Sequence, residues 1–300
     1  MRPLLTLQVH EALIAARRAG RARIECSLDL QRSMTSVEID GAGWTWHERQ
    51  YPYLDACKDR TIYHWIEAGP SSGEGARLPN ATGEGESGRA GAFAPVARYT
   101  TSLVKLVPTP WGAPTFEIDG IKMLPTAQIS PYEDARRKVD LIQPRGRQIL
   151  DTCGGLGYFA AWCLQKQAAG VLSFEKSEDV LWLRSINPWS PSAAGALRLV
   201  HADVLERIPK LPDASFDAIL HDPPRFAIAG DLYSQDFYAQ LARVLRVGGR
   251  MFHYTGAPNR LARARDLPGE VTRRLQHAGF EARPTGDGVF AVKRPSRARR

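Results

Sequence analysis

Cysteine is scarce and scattered in this chain. Cys26, Cys57, Cys153 and Cys163 form no CxxC pair. No Cys/His cluster has the spacing of metal ligands, which excludes a disulfide scaffold and a zinc module. Reduced thiols, and with them a cytoplasmic setting, are the expectation. No stretch reaches the roughly 18 apolar residues of a membrane span, so no membrane partner is expected. The amino terminus has neither an uninterrupted apolar core nor a small-residue cleavage site. Leu4 to Arg18 reads instead as an amphipathic helix, so a secretory signal is not expected. No internal repeat is present.

Positive charge is also less widespread than the net +8 suggests. The last eight residues, Lys293 to Arg300, hold five Lys/Arg and no acid, and without them the net charge falls to +3. A solvated basic tail and a contact with nucleic acid are both open. What remains is ordinary globular composition, 43% apolar and 24% charged, over a length that suits one large or two small domains. An oligomer is open.

Residues 1–68 read as a small α+β unit. Ile24, Cys26, Leu28 and Leu30 alternate with mostly polar residues, and so do Val37 and Ile39. Gly41-Ala42-Gly43 offers a turn before Trp44 and Trp46, which completes a β-meander. The tryptophans suit core packing or a ligand platform. Residues 69–97 are rich in Gly, Ser, Ala and Glu and predict a flexible insert. Strands resume at Ser102–Val107 and Thr115–Ile118, and Asp119-Gly120 turns into Ile121–Leu124. Ser130-Pro131-Tyr132-Glu133 predicts a capping box with Pro at the first helical position. The expected division is a β-rich domain over 1–125, an α/β domain over 126–293 and a basic tail over 294–300.

From Gln148 onward strands and helices alternate. Ile149–Asp151, Val171–Glu175, Leu197–His201, Ala218–His221 and Arg250–Thr255 are the candidate strands. This order predicts a doubly wound, mostly parallel sheet of Rossmann-like type. Glu281–Pro284 and Val289–Lys293, around Gly286-Asp287-Gly288, predict a closing antiparallel hairpin.

The first of these strands ends in Asp151-Thr152-Cys153-Gly154-Gly155-Leu156-Gly157-Tyr158. Glycine suits a backbone that turns sharply and approaches a ligand without a Cβ in the way. Alone such a loop is weak evidence, but acids end the next strands as well. In an open α/β sheet the carboxyl ends of the strands form one rim, where ligands bind. Glu175, 24 residues after Asp151, can accept both ribose hydroxyls of a nucleoside. Asp203 can accept from an exocyclic adenine amine, or simply cap a helix. Asp151 stands where a dinucleotide protein would receive a pyrophosphate. A carboxylate there suits a cationic nucleoside, one with a sulfonium and an amino acid part. Cys153 reads as a small residue in a tight loop or, less simply, as a nucleophile.

Asp151 to Gly157, Glu175, Asp203 and Asp222-Pro223-Pro224-Arg225 resemble the successive motifs of class I S-adenosylmethionine-dependent methyltransferases, over roughly residues 121–293. More narrowly, Leu150 to Tyr158, Asn187-Pro188-Trp189-Ser190, His221 to Phe226 and Leu232 to Tyr238 resemble archaeal-type methyltransferases related to spermidine synthases. The resemblance does not reach residues 1–100. It implies S-adenosylmethionine as cofactor, held by Asp151, Cys153, Gly154, Gly155, Gly157, Tyr158, Glu175, Lys176, Asp203, Val204 and Asp222. It also implies a catalytic group of Asp222, Pro223, Arg225 and Tyr233, in which Asp222 and the carbonyl held by Pro223 accept hydrogen bonds from a target amine. Positioning of that kind is the main catalytic term. Arg225 stands where many relatives have an aromatic ring, so it either clamps an anionic substrate group or forms a structural salt bridge. His253 and Tyr254 read as base and substrate contact, or as packing. Tyr132, Asp134 and Lys138 read as surface positions, or as a closure over the cofactor.

Three functions follow. The first is methyl transfer to a nitrogen of an unidentified acceptor: RNA, protein or a small amine. The second is aminopropyl transfer from decarboxylated S-adenosylmethionine, as in spermidine synthases. That family typically carries a different first loop and acidic polyamine ligands, which ranks it second. The third is an RNA-binding protein with a residual nucleoside pocket.

Overall fold

The computed structural model describes residues 2–67, 91–226, 229–256 and 266–295. The chain divides into two compact units, Met1–Asp119 and Gly120–Arg300.

In the first unit Leu4–Leu5 is a strand paired with Tyr63–Ile66, which in turn pairs with Ala92–Pro95. The helix expected from Leu4 therefore begins only at Leu7 and runs to Arg18. Thr6 is its N-cap, and extended backbone before a cap lets both leucines reach the core. The meander is an antiparallel sheet of Arg23–Cys26, Thr35–Ile39, Gly43–Trp46 and Arg49–Pro52. Leu28 and Leu30 fall outside it. The Asp29 carboxylate accepts from the Arg32 and Ser33 amides, and the chain turns through Leu30 and Gln31 at positive φ. A third antiparallel sheet joins Ala97–Tyr99, Leu103–Val107 and Thr115–Ile118. Asp119 and Gly120 both take positive φ in the turn that follows, as an Asp-Gly hairpin requires. Residues 68–90, most of the expected insert, lie outside the described residues, as do 296–300 of the basic tail. The end of the insert is extended, as Ala92–Pro95 and Ala97–Tyr99.

Trp44 is a core residue. It is fully buried and stacks on Tyr51 with ring centroids 4.6 Å apart.

The second unit is one seven-stranded sheet with helices between its strands. Helix α1 is Pro131–Ile142. Strand β1, Gln148–Asp151, leads to α2, Tyr158–Gln165; β2, Gly170–Glu175, leads to α3, Glu178–Ile186. Strand β3, Leu197–His201, leads to the short α4, Val204–Arg207; β4, Phe216–His221, leads to α5, Gln235–Val244. Strand β5, Leu245–Tyr254, α6, Leu267–His277, β6, Phe280–Thr285, and β7, Gly288–Lys293, close the unit. The order is β3-β2-β1-β4-β5-β7-β6. Strands β1 to β5 pair in parallel, whereas β7 runs antiparallel between β5 and β6.

The central strands are covered on both faces. Ile149, Leu150, Ile219, Leu220 and Met251 are wholly buried, which explains runs without alternation. Helix α5 turns Phe237, Tyr238, Leu241 and Val244 inward at helical spacing. Strand order reverses at β1, which leaves a crevice between the carboxyl ends of β1 and β4.

Trp44→Ala is expected to destabilise the first unit by about 3–5 kcal/mol. Urea unfolding followed by tryptophan fluorescence measures this, and a loss below about 1 kcal/mol contradicts a core role.

Candidate active site

Asp151 and Glu175 end the adjacent parallel strands β1 and β2. Asp151 is fully buried. Its Oδ2 accepts from Ser173 Oγ at 2.7 Å, and its Oδ1 is buried without a hydrogen-bond partner. Burial pushes its pKa up to about 6, against the opposing pull of the Ser173 hydrogen bond and the Arg184 charge. Glu175 Oε2 accepts from the Gly155 amide and Oε1 from the Ser177 amide, both at 2.8 Å. Burial raises its pKa as well, and those amide bonds oppose the rise.

The glycine loop is held by its own surroundings. The Gly154 amide donates to Phe174 C=O at 2.7 Å, and the Gly157 amide to Gly154 C=O at 2.8 Å. Gly157 has φ +82, and a Cβ there would lie 2.5 Å from Arg184 Cζ. A Cβ on Gly154 would overlap Ser173 Oγ. Cys153 sits among Asp151, Glu175 and Asp222. Burial raises its thiol pKa well above the ordinary value, which corrects the nucleophile reading.

Arg184, on α3, is a functional candidate that the sequence concealed. In Leu181-Trp182-Leu183-Arg184-Ser185 it looks like an ordinary charge on a helix. It is 4% exposed. Among the described residues none of Nε, Nη1 and Nη2 has a hydrogen-bond partner.

Asp203 serves as the N-cap of α4, accepting from the Leu205 amide at 2.9 Å, and pairs with Lys176 Nζ at 2.8 Å. Both lie at the rim beside Glu175. Val204 is buried as the first residue of α4. Tyr158 is buried, and its hydroxyl accepts from Asn187 Nδ2 at 3.1 Å, so it supports the loop from inside. Asn187 Nδ2 also donates to Ser190 Oγ, which donates to Leu156 C=O at 2.7 Å. Asn187-Pro188-Trp189-Ser190 thereby clasps the glycine loop.

Helix α1 is not a surface helix along its whole length. Ser130 caps it by accepting from the Tyr132 amide, while Glu133 pairs with Arg136 at 2.6 Å instead of completing the capping box. Tyr132 packs against Tyr158, Trp162 and Trp189. Lys138 is buried, which corrects the surface reading. Its Nζ lies 2.6 Å from Asp134 and 3.3 Å from Asp287, and 4.1 Å from the centre of the Tyr254 ring. Burial alone would lower its pKa; the Asp222, Asp134 and Asp287 carboxylates more than reverse that.

Asp222 follows β4 at the crevice. Among the described residues its carboxylate takes part in no hydrogen bond or ion pair. Burial raises its pKa to about 7, opposed by Lys138 and reinforced by Asp134, Asp287 and Asp151. Pro223 is buried and Arg225 is exposed, with no ion pair among the described residues. The Tyr233 hydroxyl donates to Pro224 C=O at 3.1 Å, which braces the Pro-Pro turn.

His253 is packed, which corrects the base reading. Its Nδ1 lies 2.8 Å from Tyr254 C=O and its Nε2 lies 2.8 Å from the Tyr238 hydroxyl. Burial, then the neighbouring His221, hold it well below the usual imidazole range. His221, 4.4 Å away ring to ring, lies between Thr152 Oγ1 at 2.7 Å and Leu232 C=O at 3.1 Å, and burial lowers its pKa to about 3.

The arrangement fits a cationic nucleoside better than a dinucleotide. The amides of Gly154, Gly155 and Gly157 are spent within the protein, so they form no phosphate cradle. The groups facing the crevice are carboxylates, and one oxygen of Asp151 is orphaned. Glu175 keeps lone pairs beyond its two amide bonds for ribose hydroxyls. Among the described residues no group of three or more His, Cys, Asp or Glu could hold a metal ion, and no helix is long and apolar enough to cross a membrane.

A family model described as S-adenosyl-L-methionine-dependent methyltransferase matches residues 189–294. The match covers about a third of the chain and includes β4, Asp222 and the strands that follow. The chain is 43% identical over 194 residues to an uncharacterized protein of Methanocaldococcus jannaschii, a match covering 63% of this chain and 66% of that protein. It is 32% identical over 111 residues to polyamine aminopropyltransferase 2 of Streptomyces coelicolor, covering 34% of this chain and 20% of that one. The chain thus spans about two thirds and one fifth of their lengths. Spermidine synthase of Thermotoga maritima shares the fold, with a TM-score of 0.51 at 16% identity over 68% of this chain and 75% of that one.

Gly157→Ala is expected to cost at least about 1–2 kcal/mol, because it forces a left-handed alanine and pushes Arg184 aside. A melting temperature within about 1 °C of the wild type would contradict that packing.

Proposed function

We propose that the protein transfers the methyl group of S-adenosylmethionine to the nitrogen of an amine. The observation that carries this reading is the Asp222 carboxylate, unpaired at the crevice, set on a Pro-Pro turn and poised to exchange a proton near neutrality. The cofactor supplies a methyl group on a sulfonium, an electrophile that needs no activation. Glu175 would hold its ribose hydroxyls, Asp151 and the loop would supply negative potential for its cationic part, and Asp203 and Lys176 at the rim would hold its base. Asp222 accepts a hydrogen bond from the target amine and takes one proton from it, which frees the nitrogen lone pair. The rigid turn, braced by Tyr233, aims that nitrogen.

Aminopropyl transfer stays the second reading, favoured by the likeness to the Streptomyces enzyme. A polyamine acceptor needs several free carboxylates. Here Asp134 and Asp287 are already occupied by Lys138, which leaves Asp222. A small amine or a protein amine is the favoured acceptor over RNA. Residues 1–119 hold 13 Lys/Arg against 14 Asp/Glu and offer no basic platform. The tail remains a route to nucleic acid, and the thiol content favours a cytoplasmic setting.

Titration calorimetry is expected to show binding of S-adenosylmethionine, tighter than that of its decarboxylated form. Tighter binding of the decarboxylated form selects aminopropyl transfer, and no binding of either sinks both readings. Glu175→Ala is expected to weaken binding at least about tenfold.

Asp222 accepts a proton only when ionised, and its pKa is raised to about 7, so turnover is lost as pH falls through about 7 and is full above it. Asp222→Asn is expected to remove this dependence and slow turnover by about 10²–10⁴. An unchanged pH profile in that variant would exclude Asp222 as the base.

A further inference from the structure

A guanidinium that is buried with no hydrogen bond is costly, and proteins rarely keep one without a use. Arg184 is such a group. Among the described residues it has no hydrogen-bond partner on any of its three nitrogens, and it lies against the glycine loop, where Gly157 and Gly154 leave room for it. Asp151 Oδ1, itself orphaned, and Glu175 are the carboxylates whose charge it feels.

We propose that Arg184 is a positioning residue for the cofactor: packed against the glycine loop, it supplies a buried positive charge shared by Asp151 and Glu175. This rests on reading the crevice as the S-adenosylmethionine pocket. Without that charge the two carboxylates would face each other across adjacent strand ends in a dry environment, and they would take up protons. A protonated Glu175 loses acceptor strength toward the Gly155 and Ser177 amides and toward ribose. The loop then loses both its anchor and its charge complementarity.

The other groups around the pair do not replace Arg184. Ser173 on β2 donates one hydrogen bond to Asp151. Half-buried Cys153 in the loop and buried Cys163 on α2 are thiols with raised pKa, and Asp222 beyond β4 adds further negative charge. Around Glu175 stand the amides of Gly155, Lys176 and Ser177. Lys176 points to solvent and pairs with Asp203.

The test compares wild type, Arg184→Lys and Arg184→Met at about pH 6.5 and about pH 8.5, in two measurements. In calorimetry with S-adenosylmethionine, wild-type affinity should change less than about threefold between the two, whereas R184M should bind about tenfold more weakly at the lower pH. R184K, which keeps the charge, should follow the wild type. In thermal melts without cofactor the sign reverses. A buried carboxylate with raised pKa contributes stability at low pH that is lost as pH rises through that pKa. R184M should therefore lose more of its melting temperature than the wild type on going to the higher pH. Equal losses for R184M at both pH values, or a R184K profile that matches R184M, overturn the inference. If R184M does not fold at either pH, Arg184→Met with Asp151→Asn decides: recovery of folding supports the pairing, and failure overturns it. If the wild type binds no S-adenosylmethionine, the functional reading fails, while the cofactor-free melts still judge Arg184.

Discussion

Desolvated negative charge is the constraint around which this site is built. A parallel sheet brings the ends of β1, β2 and β4 to one edge, and an acid stands at each: Asp151, Glu175 and Asp222. Burial raises the pKa of all three. Among the described residues each cluster contains a single buried cation. Arg184 faces Asp151 and Glu175, and Lys138 faces Asp134, Asp222 and Asp287. In both clusters acids outnumber the cation, so the crevice keeps uncompensated negative charge. A cofactor with a sulfonium and an ammonium offsets that excess, whereas a pyrophosphate would add to it.

The proton chemistry separates along the same edge. Behind Asp222 lie two imidazoles that burial keeps neutral, each with both ring nitrogens hydrogen-bonded. A neutral floor adds no counter-charge, so Asp222 stays high while His221 stays low. Two neighbouring groups with pKa values pushed so far apart suit the roles proposed above, with proton exchange at the carboxylate and geometry held by the histidines. Tyr233 packs against His253 in the same floor and, through Pro224, fixes the turn carrying Asp222.

The α/β half was legible because its rules are local. Buried apolar runs that end in acids and are separated by helical segments leave few alternatives to a doubly wound sheet, and the strand ends matched within a few residues. The Leu4–Leu5 strand was hidden because two leucines before a helix carry no period, and only pairing with Tyr63–Ile66 makes them extended. Lys138 and Arg184 were hidden for a related reason. A cation on a helix of alternating polarity reads as solvent-facing, and only the tertiary position of the acids shows that burial is compensated. Asp203 was ambiguous for a different reason: an acid after a strand caps the next helix whether or not a ligand is present.

The glycine loop shows why motif and mechanism need not share a cause. From sequence, its glycines invite an explanation from above, as room for a ligand. In the structure the collisions come from below: a side chain at Gly157 meets Arg184, and one at Gly154 meets Ser173. Gly155 takes positive φ while giving its amide to Glu175. The loop is therefore shaped by the charges under it. Ser173 bonds Asp151, the Gly155 amide bonds Glu175, and Arg184 lies against the loop close enough for its charge to act on both acids. Glycine would be required at 154 and 157 even for a protein that bound nothing there, so the acids, more than the glycines, carry the evidence for the ligand.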